Sequence, residues 1–349
     1  MNYKKNDASG IDKKPDVTGI GKKIDVTGIG NAIVDVIANV NDDFLEMHSL
    51  DKGTMRLIEE HDVLRLKSGI STVRVISGGS AANTIAGLSV LGNKTAFIGK
   101  IKDDDFGNAF ERELKKLGVF FNTIKASDAD APSTASCIVL TTPDAQRTMN
   151  TCLGIAGSIA PEDIDENIIA ESKMIYIEGY LWDKDSAKTA IRKAITVAKK
   201  SSTIIAMSLS DKFCVDRNRD DFFDIINQYA GLVFANEIEI MSLFKTESFE
   251  EAVERCKKLP CIFALTRGDK GSCIISADRV IPVGAVSTGV IDSTGAGDMY
   301  AAGFINGWLL GKDLHDCGRM GSVLAAEIIS HYGARPEKPL LELLAQEGL

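Results

Sequence analysis

The chain has 349 residues, enough for one large α/β unit with a smaller attachment, and its 44% hydrophobic and 26% charged content is ordinary for a soluble enzyme. A formal net charge of −9 argues against a general nucleic-acid binder, which needs Lys and Arg to neutralise phosphates, but leaves room for a local basic pocket. Seven scattered cysteines without a C-x-x-C pair, four histidines and no apolar run of bilayer length argue against a disulfide framework, a zinc finger and a membrane span.

The opening MNYKKNDASGIDKKPD has no continuous apolar segment, so no secretory leader is expected and the setting expected is cytoplasmic. DVTGIG then occurs twice, at 16–21 and 25–30. The first copy runs into Lys22-Lys23, the second into Asn31-Ala32-Ile33-Val34-Asp35. Residues 1–23 read as a flexible tail and 24–349 as one folded domain.

IDVTGIG (24–30) is a short strand ending in glycines. A dinucleotide loop is disfavoured there, because Ile33 stands where G-x-G-x-x-G needs its third glycine. SAANTIAGLSVLG (80–92) has helical spacing with Gly92 as a stop, KTAFIGK (94–100) is a strand, and FGNAFERELKKLG (106–118) is a helix. Strand and helix patterns continue to alternate through MIYIEGY (174–180), SAKTAIRKAITVAKK (186–200), STIIAMSLS (202–210), GLVFANEIE (231–239), SFEEAVERCKKL (248–259) and CIFALTRG (261–268). Such alternation predicts a three-layer αβα fold with a mostly parallel central sheet.

Two stretches break the rhythm. Residues 36–76 and 119–152, with STVRVI, FFNTIKA, STASCIVLTT and QRTMNTCL, are rich in β-branched residues and turn signals. They predict half-buried antiparallel strands forming a small β-rich lid over the carboxyl ends of the main sheet, where open α/β sheets bind ligands.

The run VIDSTGAGDMYAAGFINGW (290–308) passes from a strand end into a helix. Gly295, Ala296 and Gly297 allow close approach of an oxyanion, and the new helix offers free N–H groups and the positive end of its dipole. Asp298 at that point would repel phosphate. It reads either as a general base that takes a proton from an alcohol, or as an ordinary acid stabilising the helix dipole. Gly78 and Gly79, followed by Ser80 and Asn83 in a helical first turn, fit a substrate wall or a plain turn with a cap.

DSTGAGD (292–298) resembles the C-terminal signature of the ribokinase-like (PfkB) carbohydrate and nucleoside kinases, commonly D-T-T-G-A-G-D. The resemblance extends through GGSAANT (78–84), GKIKDDDFG (99–107), NEIE (236–239) and TRGDKG (266–271), and covers nearly all of 24–335. It implies ATP as phosphoryl donor with Mg²⁺, Asp298 as base and the 295–297 turn as an anion hole. It also implies that the first strand ends in Gly-x-Gly-Asn-x-x-x-Asp, which only the second DVTGIG copy supplies, with Asn31 and Asp35 able to bind sugar hydroxyls. Arg147 becomes the basic lid residue near the transferred phosphoryl group, against the alternative of a lone surface arginine. Asn236 and Glu239 fall near magnesium and the phosphates, with Glu239 coordinating directly or through water, and Thr266, Gly268 and Gly271 form the nucleotide wall.

Within the family, YIEGYLWD (176–183), LSDKFCVDR (209–217) and HYGARP (331–336) resemble bacterial adenosine kinases. Phe120, Phe121, Cys137 and Met149 on lid strands would suit an adenine ring, or would be lid core. The expected reaction is ATP-dependent phosphorylation of the adenosine 5′-hydroxyl, giving AMP and ADP. Another nucleoside or a free sugar such as ribose or fructose is the alternative, and a nucleoside or sugar sensor on a kinase fold is the non-enzyme one. The expected partner is a small molecule, with no nucleic acid and no membrane, bound by a monomer or homodimer.

Overall fold

The computed structural model describes residues 22–144 and 146–349; the first DVTGIG copy and most of the expected tail lie outside the described residues. Lys22, assigned to the tail from sequence, belongs to the α/β body. Its Nζ donates to the Ala170 and Ser201 carbonyls at 2.7 and 2.9 Å and to Thr203 Oγ1 at 2.8 Å.

Among the described residues thirteen strands form two sheets: β1 Ile24–Ile29, β2 Ile33–Asn39, β3 Met55–Leu57, β4 Thr72–Gly78, β5 Thr95–Ile98, β6 Ala135–Thr141, β7 Arg147–Cys152, β8 Ser172–Glu178, β9 Ile204–Ser208, β10 Leu232–Asn236, β11 Ile262–Thr266, β12 Ser272–Ser276 and β13 Arg279–Val283. The large sheet has the order β13-β12-β11-β10-β9-β8-β1-β5; its strands from β11 to β5 run parallel, and β12 and β13 add an antiparallel edge. Both faces are covered. Met174 and Tyr176 of β8 belong to one apolar cluster and Ile175 and Ile177 to the other, as a period of two requires. The helix Asp185–Lys200 shows how the covering layer is written. Ala187, Ala190, Ile191, Ala194, Ile195 and Ala198 form its buried stripe, while Asp185 begins it and Lys199 and Lys200 end it, matching the dipole.

The lid sheet has the order β3-β7-β6-β2-β4. It departs from the antiparallel expectation, because β2 pairs β6, and β3 pairs β7, in parallel. The chain leaves β2, passes through β4 and the large-sheet strand β5, and returns to β6, and so long a crossover permits parallel pairing. Only the short β6–β7 connection makes a hairpin. Alternation then divides the sheet's two faces. Val36, Ala38, Ile138 and Leu140 pack with Leu45, Val63 and Leu66 from the helices Asp42–Met47 and Glu60–Ser68. Asp35, Cys137, Val139 and Met149 take the opposite face, toward the large sheet's carboxyl ends.

FFNTIKA is not part of the lid sheet. Isolated bridges join Phe120 to Ala96 and Ala126 to Lys102 along the edge beside β5. Phe121 is buried against Phe97 and Phe110, with centroids 6.2 and 5.6 Å away, and Phe120 is half exposed. Among the described residues no helix is long and apolar enough to cross a membrane.

Candidate active site

A cavity of about 720 Å³ lies between the lid and the carboxyl ends of the parallel strands. Asn31 after β1, Glu178 at the end of β8, Ser208 of β9, Asn236 of β10 and Thr266 of β11 all line it, as do Asp35 and Arg147 from the lid. The helix Ala296–Leu309 closes it from one side.

That helix opens on Gly295, whose φ of 80° is left-handed, with Ala334 only 2.7 Å from where a Cβ would stand. Asp298 lies in the first turn, beside the free N–H groups. Its Oδ1 accepts from Ser80 Oγ at 2.7 Å and its Oδ2 from Asn83 Nδ2 at 2.9 Å. Ser80 and Asn83, expected to hold substrate, therefore spend these donors on Asp298. Burial pushes the Asp298 carboxyl up to about 6, although both hydrogen bonds and Arg335 favour its ionised form. A carboxylate tuned into this range and fixed by two donors is suited to accept a proton near neutral pH.

Two amide oxygens and the Asp35 carboxyl have no hydrogen-bond donor among the described residues. Asn31 Oδ1 and Asn83 Oδ1 are buried and unpartnered. Only burial and charges act on the Asp35 carboxyl, which rises to about 6 through desolvation against the opposing pull of Arg147 and Arg335. An unmet buried acceptor costs about 1–3 kcal/mol, so a ligand bearing hydroxyl donors is favoured here. Asn31 is oriented by Glu178, whose Oε1 accepts from its backbone N at 2.8 Å and its Nδ2 at 2.7 Å, while Oε2 accepts from Ala81 N at 2.8 Å. Gly79 turns the chain between β4 and the Ser80–Val90 helix with φ 93°, and a Cβ there would meet the Asn31 carbonyl at 2.2 Å. Gly78 is not on the cavity wall; it packs against the Asp35 carboxylate.

Arg147 reaches out of β7 to the turn that precedes the Ala296–Leu309 helix. Its Nη1 donates to the Asp292 carboxylate and, at 3.1 Å, to Thr294 Oγ1. Asp292 is fixed in turn by Thr294 N at 3.0 Å and Gly333 N at 2.9 Å. Arg147 is thus an element of the lid-to-turn contact and not a free surface residue.

Asn236 and Glu239 form a closed cap on the helix Glu237–Phe244: Asn236 Oδ1 accepts from Glu239 N, and the two Glu239 oxygens accept from Asn236 N and Nδ2. Burial raises Glu239 to about 7. Both oxygens keep a spare lone pair at the cavity wall, so the pair fits a hydrated Mg²⁺ held through water; direct coordination competes with the cap. Gly268 and Gly271 belong to the turn between β11 and β12 and fall outside the cavity wall, leaving Thr266 as that segment's contribution.

Sequence reasoning missed Glu178, Asp292 and Arg335 as site residues. Glu178 ends a parallel strand, the position where ligand-facing residues concentrate, and Asp292 begins the DSTGAGD run. Arg335 carries no local pattern that points inward.

A β-rich lid over a three-layer αβα body, with an acid at a glycine-led helix start, is the arrangement of a small-molecule kinase. Residues 55–340 match the pfkB family carbohydrate kinase model, and the chain belongs to that family. An uncharacterized sugar kinase of Archaeoglobus fulgidus is 30% identical over 72% of this chain and 98% of its own length. A 5-dehydro-2-deoxygluconokinase of Clostridium perfringens is 28% identical over 77% of this chain and 82% of its own. Among solved structures, an adenosine kinase from Sinorhizobium meliloti is 40% identical with a TM-score of 0.85, covering 93% of this chain and 99% of that one. A probable sugar kinase from Rhizobium etli is 38% identical with a TM-score of 0.85, covering 94% and 99%.

Proposed function

We propose that this sugar or nucleoside kinase phosphorylates the 5′-hydroxyl of adenosine. The observation that carries the reading is the division of the cavity wall. Asp35 and the unpartnered Asn31 and Asn83 oxygens suit ribose hydroxyls, while Cys137, Val139, Met149, Leu57, Tyr180 and Phe213 supply apolar surface that a free sugar would leave unused. The adenosine kinase of S. meliloti, at 40% identity, supports the same acceptor. Of the four residues read from sequence as suited to an adenine ring or as lid core, Cys137 and Met149 line the cavity, while Phe120 and Phe121 lie at the sheet edge.

In this reading Asp298 takes the proton of the 5′-hydroxyl as its oxygen bonds to the γ-phosphorus of ATP and the bond to the ADP oxygen breaks. The 295–297 turn and helix N-terminus receive charge on the phosphoryl oxygens, and Arg147 closes the lid over them. Magnesium, held through water near Glu239, would offset phosphate charge.

Initial rates with Mg·ATP and adenosine, guanosine, inosine, ribose, fructose and 5-dehydro-2-deoxygluconate test the assignment. The highest kcat/KM is expected for adenosine. A preference for ribose or the keto acid would keep the kinase and remove the base-binding role of the apolar wall.

A further inference from the structure

Arg335 lies beyond the helix Leu314–Ile328, far in sequence from the residues it holds. Its Nη2 donates to the Ser77 carbonyl and to Ser77 Oγ, both at 2.9 Å, and its Nη1 to the Ala82 carbonyl at 3.1 Å. These acceptors bracket the turn Gly78–Gly79–Ser80. On the other side, Ser77 N donates to Glu113 Oε2. The segment carrying Arg335 is itself tied down. Gly333 N donates to Asp292, and Glu327 Oε1 accepts from Glu337 N and Lys338 N at 3.0 Å each, with His331 Nε2 also 3.0 Å away.

The guanidinium acts on Asp35, Glu113 and Asp298 through space, and those carboxylates answer the desolvation that lowers it to about 10. It therefore stays charged at neutral pH. Arginine suits the position because one planar fork spans two carbonyls and a hydroxyl while presenting its charge to both acids. Lysine would keep the charge and lose the span.

We propose that Arg335 is a positioning residue that fixes the acceptor turn through Ser77 and Ala82 and supplies the interior positive charge shared by Asp35 and Asp298. The catalytic part of this inference rests on Asp298 being the base. Other ionisable groups also face these acids: Glu178, Tyr176, Tyr180 and Asp35 around Asp298, and Arg147, Asp292 and Cys137 around Asp35. All of them are retained in the variants below.

The test compares Arg335→Gln, Arg335→Lys and Ser77→Ala in the full chain. Asp298 is titrated by carboxyl carbon NMR, assigned with Asp298→Asn, and acceptor and Mg·ATP kinetics are followed from pH 5 to 9. Arg335→Gln should raise the Asp298 midpoint and the acid limb of kcat together by about one pH unit, the lower end of the effect of a nearby opposite charge. It should also raise the acceptor KM roughly 10-fold, with Mg·ATP KM within about 2-fold, since only the acceptor wall loses its support. Arg335→Lys should restore the midpoint but not the acceptor KM. Ser77→Ala should raise that KM and leave the midpoint in place. An unmoved Asp298 midpoint in Arg335→Gln, or a wild-type acceptor KM in Arg335→Lys, overturns the proposal. Should the Gln variant not fold, Arg335→Lys and Ser77→Ala decide it on the same readouts. If the midpoint moves while Asp298→Asn keeps its turnover, the base assignment has failed and the electrostatic role of Arg335 stands.

Discussion

At the scale of single residues, Asp298 carries most of the proposed chemistry. Ser80 and Asn83 hold both its oxygens, and burial brings its carboxyl to about 6. Asp298→Asn keeps the shape and removes the proposed base, so kcat should fall roughly 10²–10⁴-fold, the usual span for general-base loss. Calorimetric adenosine affinity should change far less, and near-wild-type turnover would refute the assignment. In the wild type, kcat should rise with pH through about 6 and then level, because the ionised form is the active one. A flat profile from pH 5 to 8 would place the titrating base elsewhere. The sequence made Asp298 legible because its glycine turn and helix start are contiguous. It hid the employment of Ser80 and Asn83, since a contact across more than 200 residues leaves no local spacing. Arg335 was hidden for the same reason.

At the scale of elements, the lid is held to the body where β7 meets the turn before the Ala296–Leu309 helix. Arg147→Ala removes the donor to Asp292 and Thr294, so kcat should drop by roughly 10²-fold, comparable to loss of one anion-stabilising donor. Nucleotide affinity by calorimetry should stay within about 2-fold, because the role assigned to Arg147 begins after closure. A raised Mg·ATP KM with unchanged kcat would contradict this. Gly79→Ala tests the neighbouring element. At φ 93°, with the Asn31 carbonyl 2.2 Å from a new Cβ, the turn must shift. Acceptor KM should rise about 10-fold or more, while an unchanged acceptor KM would show that the turn does not set acceptor geometry. Periodicity revealed the parallel strands of the large sheet, which are buried on both faces, and helices such as Asp185–Lys200 that carry one apolar stripe, but it did not reveal the antiparallel edge of β12 and the largely exposed β13. It failed for the lid, where β2–β6 pairing depends on what the chain does between them. FFNTIKA, equally β-rich, stayed at the edge beside β5.

At the scale of the whole molecule, four of the acids lining one cavity have folded-state values above their ordinary ones: Asp35 and Asp298 near 6, Glu178 and Glu239 near 7. Desolvation is the leading cause in each. Between about pH 4 and 7 the folded chain therefore holds more protons at these groups than the unfolded chain does. The difference ν_U − ν_N is negative there, and their contribution to stability declines as pH rises. Asp144 and Asp216 have values depressed to about 2 by Lys52 and Lys212, but they lie at the surface, and their contribution is lost only below about pH 4. They cannot offset the slope in the higher window. The ligand-free protein should consequently show a lower Tm at pH 8 than at pH 5.5 by scanning calorimetry, and Asp298→Asn should reduce that difference by removing one of these carboxylates. Adenosine should also reduce it, since ribose hydroxyls give the Asp35 carboxylate the donors it lacks. A Tm that rises from pH 5.5 to 8 in the wild type, or a slope untouched by Asp298→Asn, would mean that these acids are better solvated than their packing implies. Cavity acids kept ready for a substrate should make the empty enzyme less stable at the pH where the base is ionised.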